Sequence, residues 1–147
     1  MKKSINGSIN NNSEKGEDMK KIAVVSMVLL LIAGIAYAKN YEVTKKAGEY
    51  TVVATIDKNP PVVGDNNISI DIKDAAGKAV TDAKVKVEYS MPAMPGMPAM
   101  NYKADASLTG SAYTAKMNLS MSGSWNITIK VSRGGKSSTA KFNIDAH

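Results

Sequence analysis

Methionines are the residues of this chain best suited to chemistry. From Met91 to Met100 it reads Met-Pro-Ala-Met-Pro-Gly-Met-Pro-Ala-Met, a three-residue period with a methionine at each repeat start. Six of the nine methionines lie after residue 38, and four of those six sit in this decapeptide. Thioether sulfur is soft, polarisable and uncharged. A cluster of it forms either an adaptable apolar plug or docking surface, or a site for a soft ion such as Cu(I) or Ag(I).

Two local geometries are open to the repeat. Extended, it takes polyproline II, whose three residues per turn align Met91, Met94, Met97 and Met100 along one edge, roughly 9 Å apart. Bent, it centres on Pro95-Gly96, with proline at the second and glycine at the third position of a type II turn. That turn brings Met94 and Met97 within about 7 Å. Met94 and Met97 are then the central candidate ligands, with a third sulfur from Met91, Met100 or Met121.

Other ions and cofactors fit these residues poorly. The chain has no cysteine and one histidine, His147, which reads as a frayed terminal residue. Structural zinc needs Cys, His or carboxylate, and calcium or magnesium needs clustered oxygens that the loop lacks. A Cu(II) site calls for imidazole or other nitrogen and oxygen donors. An enzyme is not expected either. A hydrolase needs a nucleophile with a base, and a glycosidase needs two converging carboxylates. Here the acidic residues fall mainly on outward strand positions or in turns, and no histidine is placed to serve a serine.

The elements that must position the methionines are strands. Ile68, Ile70 and Ile72 alternate with polar residues, as do Val85, Val87 and Tyr89; so do Tyr113, Ala115, Met117 and Leu119. Trp125, Ile127, Ile129 and Val131 repeat the pattern, and Ala140, Phe142 and Ile144 close it. Each is a half-buried strand with its apolar face inward. Residues 49–57 and 100–108 alternate less cleanly but carry Thr, Val, Ile and Tyr, and read as strands too.

Turn signals fall between them at Asn59-Pro60-Pro61, Gly64-Asp65-Asn66-Asn67, Ala76-Gly77-Lys78, Thr109-Gly110-Ser111, Ser122-Gly123-Ser124 and Gly134-Gly135. Seven strands and no convincing helix in about a hundred residues predict an all-β, immunoglobulin-like antiparallel sandwich, with a closed barrel as the alternative. Trp125, the single tryptophan, reads as a core anchor. If successive strands run antiparallel, the methionine loop, Met121 and the loop at Asn59–Asn67 all fall at one pole.

The sequence before residue 39 has a different character. Ile22 to Ala38 is an uncharged apolar run after Lys20-Lys21, ending Ala36-Tyr37-Ala38. A basic start, an apolar centre and small residues before a cut describe a signal peptide over 19–38. Retention of residues 22–38 as an inner-membrane anchor is the alternative. Met1 to Asp18 is rich in Asn, Ser and Lys and reads as a disordered extension, with translation expected to begin at Met19.

Residues 39–147 form one domain with an expected periplasmic or extracytoplasmic location. They carry 14 Lys and Arg against 10 Asp and Glu, a net of +4. The charges are interspersed, which describes a solvated surface and not a nucleic-acid footprint.

Several segments together resemble a known family. They run Gly48-Glu49-Tyr50, Pro61-Val62-Val63-Gly64-Asp65-Asn66, Asp74-Ala75-Ala76-Gly77-Lys78-Ala79-Val80-Thr81-Asp82-Ala83, the Met-Pro run, Gly110-Ser111-Ala112-Tyr113 and Met121-Ser122-Gly123-Ser124-Trp125. Over residues 45 to 145 the pattern resembles the YtkA-like domain family, which includes FixH-type proteins. The resemblance implies an exported immunoglobulin-like domain of the bacterial envelope, not an enzyme. Such domains occur beside copper handling, efflux and oxidase-assembly proteins, so the implied partner is an envelope or inner-membrane complex. FixH proteins keep a membrane helix where this leader looks cleavable. Copper carriers of the CopC type use an N-terminal histidine where this domain would begin at Lys39.

Overall fold

Alternation in the sequence becomes alternation in burial. The computed structural model describes residues 39–147; the expected extension at 1–18 and leader at 19–38 lie outside the described residues. Eight strands run in chain order: β1 (Tyr41–Ala47), β2 (Tyr50–Ile56), β3 (Gly64–Lys73), β4 (Lys84–Met91), β5 (Met100–Thr109), β6 (Ala112–Leu119), β7 (Gly123–Arg133) and β8 (Lys136–Ala146). All pair antiparallel, in the order β1-β2-β3-β6-β5-β4-β7-β8.

The order describes two half-sheets hinged at one short seam. β5 pairs with β4 from Met100 to Ala106, but with β6 only at Ser107, Leu108 and Thr109. Towards the methionine end the two strands therefore separate. At the outer edges β1 and β8 approach, and the Tyr41 hydroxyl donates to the Asn143 carbonyl at 3.3 Å. The result is a sandwich close to a barrel, so both expected architectures share in it.

Between the half-sheets, Val52, Ala54, Ile56, Ile68, Ile70 and Ile72 face Val85, Val87, Ile127, Ile129 and Val131, all buried. Each of these valines and isoleucines contributes about 1.5–3 kcal/mol when fully buried, which is what a domain without disulfides relies on. Trp125 is fully buried, as expected of a core anchor, and Met117 lies in the same core.

Two sequence expectations are corrected. Seven strands were expected and eight are present, because β1 carries Glu42, Thr44, Lys45 and Lys46 to solvent and shows little apolar rhythm. The Gly64–Asn67 segment is the start of β3, not a turn. Asn66 sits there on the inward parity and is fully buried. Its Oδ1 accepts from the Val62 N–H at 3.0 Å, and its Nδ2 donates to the carbonyls of Val62 at 2.7 Å and Gly64 at 3.0 Å. A side chain thus replaces the backbone partners that this entry loop lacks.

Asn66→Ala should destabilise the domain by about 1–3 kcal/mol, because it removes three hydrogen bonds to the half-buried backbone of Val62 and Gly64. The urea midpoint reads this, and a change within error would show that water satisfies those groups instead.

Candidate metal centre

Met91 and Met100 are register partners at the end of the β4–β5 ladder. Eight residues remain to connect them, and the connection closes as a second, smaller hairpin. The Met94 N–H donates to the Met97 carbonyl at 3.0 Å and the Met97 N–H to the Met94 carbonyl at 2.9 Å. Pro95 and Gly96 make the turn between them, and Gly96 has φ +80°, the left-handed conformation that glycine adopts without a Cβ penalty. The bent alternative is the one realised.

Two residues that exchange both backbone bonds are directly opposed, with Cα atoms about 5.5 Å apart and side chains on one face. Met94 and Met97 are accordingly a pair. They are 41% and 40% exposed, so two flexible, solvent-accessible methionines occupy opposed positions at the tip.

The other candidate sulfurs are graded by depth. Met91 is 3% exposed and belongs to the core. Its Cε lies 3.2 Å from where a Cβ on Gly123 would stand, so its methyl packs over that glycine. Met100 and Met121 are partly buried against the same core. The Met100 sulfur accepts a hydrogen bond from the Ser120 hydroxyl at 3.3 Å, and the Tyr102 hydroxyl donates to Ser120 at 3.4 Å. The Met121 carbonyl accepts from the Trp125 indole N–H at 3.1 Å, which ties the β6–β7 turn to the core.

All of this lies at one end of the sandwich. Gly64 pairs with Leu119, Ser90 with Asn126 and Gly123 with Ala146, so the methionine hairpin, Met121 and the 59–64 loop share a pole as strand parity predicts. His147 is at that pole too. It was expected to fray, but its N–H donates to the Pro61 carbonyl at 3.0 Å and its carbonyl accepts from Val63 at 3.0 Å. A pairing across 84 residues is invisible to local sequence patterns. Among the described residues no three His, Asp or Glu gather in a way that would hold a metal ion.

An aromatic cluster supports the hairpin where β5 and β6 part. Tyr89 and Tyr102 stack at 5.4 Å between ring centroids, and Trp125 lies 6.2 Å from Tyr89 and 6.0 Å from Tyr102. The Tyr89 hydroxyl accepts from the Asn118 N–H at 3.3 Å. That donor points across the opened seam, and a tyrosine from β4 meets it in place of a strand. Ser120 and Tyr89 were not singled out by sequence, since neither a lone serine nor an alternating tyrosine announces such a role.

The family model of the YtkA-like domain matches residues 39–130. The chain belongs to the YtkA-like family. No curated protein and no solved structure matches it. The match takes in the methionine hairpin, Met121 and Trp125, while His147 at the same pole lies beyond it.

Beside the pole, Asp65 pairs with Lys116 at 2.6 Å and accepts from Asn118 Nδ2 at 2.8 Å. The Lys116 and Asn118 hydrogen bonds hold its carboxyl below the ordinary carboxylate range. A depressed carboxylate contributes stability that is present above its unfolded pKa and lost as pH falls through the lower folded value. Asp65→Asn should therefore destabilise this YtkA-like domain at neutral pH and make little difference well below about pH 4. Urea midpoints of both proteins across that range test it; a gap that persists in acid would assign the effect to packing.

Proposed function

We propose that this YtkA-like domain binds a soft monovalent ion, Cu(I) or Ag(I), at the methionine pole and passes it on within the bacterial envelope. The observation that supports this reading is the reciprocal Met94–Met97 backbone bridge, which sets two exposed methionines opposite each other on a proline-stiffened turn. Met100 or Met121 supplies a third sulfur from the half-buried layer beneath, and Met91 anchors the hairpin from the core.

The donor chemistry suits cargo. Thioethers are neutral, so a two- or three-sulfur set holds Cu(I) by softness and leaves its charge in place. Met side chains have three rotatable bonds and adapt to the ion at little cost. A site at an exposed tip can also be approached by a receiving ligand without opening the core. Export to the periplasmic side, through a leader over 19–38 that is either cleaved or retained, belongs to the same proposal.

A second reading has an observation of its own. Val63, Met94, Met97 and Tyr102 are four of the five large apolar side chains that are exposed among the described residues, and all lie at this pole. Such a cluster suits a non-metal adaptor that docks on an envelope or inner-membrane complex, such as an efflux pump or oxidase-assembly machinery.

Titration of the domain with Cu(I) against a chromophoric chelator separates the two readings. The wild type should bind stoichiometrically, and Met94→Leu/Met97→Leu, which keeps apolar volume, should weaken binding by roughly tenfold or more. A wild type that never competes with the chelator would leave the adaptor reading in its place.

A further inference from the structure

The six methionines of the domain differ sharply in what can reach their sulfur. Met94 and Met97 are 41% and 40% exposed, whereas Met91 is 3% exposed and Met117 is fully buried. Met100 is intermediate, and its sulfur lone pair is already engaged by the Ser120 hydroxyl at 3.3 Å. A hydrogen bond occupies one of the two lone pairs through which sulfur attacks an electrophilic oxidant and lowers its electron density. Met121 is partly buried and packs against the core.

We infer that the Met94–Met97 pair is an oxidation site, and that its conversion to methionine sulfoxide switches off soft-ion binding while leaving the fold intact. The switching part rests on the metal-binding reading above; the oxidation part stands without it. The oxidant is a peroxide or a hypohalous acid. With hydrogen peroxide, the thioether lone pair attacks one peroxide oxygen, the O–O bond breaks, an S–O bond forms and the second oxygen leaves as water. Sulfur is oxidised by two electrons and peroxide is reduced by two.

The product changes the site in two ways. The sulfoxide presents a hard, polar oxygen where a soft sulfur lone pair stood, so its match to Cu(I) is lost. The tip also tolerates the added oxygen. The Met94–Met97 bridge is made by backbone groups, and both side chains already face water. Oxidation at Met91 or Met117 would instead put a polar group into the core. Depth therefore sorts the methionines into a pair that can be oxidised at no cost to the fold and a pair that cannot.

The domain is exposed to graded hydrogen peroxide, and oxidation at each methionine is followed by peptide mass spectrometry, with circular dichroism recorded in parallel. Met94 and Met97 should gain oxygen first, with Met100 and Met121 following and Met91 and Met117 last, before any change in the β spectrum. Protein oxidised only at the tip should bind Cu(I) roughly tenfold or more weakly, and prior loading with Ag(I), which peroxide does not oxidise, should slow oxidation of Met94 and Met97 specifically.

Equal rates at all six sites, or loss of structure as soon as the tip is oxidised, would overturn the inference. Unchanged Cu(I) affinity after tip oxidation would overturn the switch. Selective oxidation of a wild type that never binds Cu(I) would retain the modification site, overturn the switch and fail the metal reading, so the two failures are distinguishable. Met94→Leu/Met97→Leu checks the assignment, since the first oxidation step should vanish from its intact-mass profile.

Discussion

Pairing of Met91 with Met100 is the constraint on which the pole depends. It is set by the strands behind it: Val85, Val87 and Tyr89 must face the core, and β4 pairs with β5 on one side and β7 on the other through these same residues. A slip of one position would turn every one of those side chains to water. The register therefore cannot drift, and it fixes where the eight-residue connection begins and ends. Pro95-Gly96 then has one natural solution, a tight turn that opposes Met94 and Met97. Exposure of the tip follows, because its residues extend past the last layer of the sandwich.

The parting of β5 and β6 shapes what lies beneath the tip. Because β5 leaves β6 above Ser107, the inner face of its upper half looks partly outward, which is why Tyr102 is both stacked on Tyr89 and exposed to water. The gap is filled by side chains in place of a ladder. Tyr89 meets the Asn118 N–H, and Tyr102 reaches Ser120, which in turn holds the Met100 sulfur. The methionine pole is thus layered: a buried Met91 below, Met100 and Met121 at the level of the aromatic cluster, and Met94 with Met97 above.

Sequence patterns carried much of this and missed identifiable parts of it. Met117 and Trp125 were legible as core because strict alternation surrounds them. The type II turn was legible because proline and glycine occupy the positions whose torsions they favour. β1 was not, since an edge strand with four solvent-facing polar residues obeys no apolar rhythm. Asn66 reads locally as a turn residue because asparagine usually is one, and only the loop folded against it makes a buried amide worthwhile. His147 looked free because its partners at Pro61 and Val63 are distant in sequence.

By itself, the sequence determined an all-β domain, the inward and outward face of most strands, and a methionine repeat that bends at its centre. These are local matters, fixed by side-chain period and by the torsions of proline and glycine. Tertiary structure decided which sulfurs remain in water and which enter the core. Five methionines with similar local credentials were separated by depth, because burial depends on strand register and on where two half-sheets part. Both are settled by contacts between residues far apart in the chain.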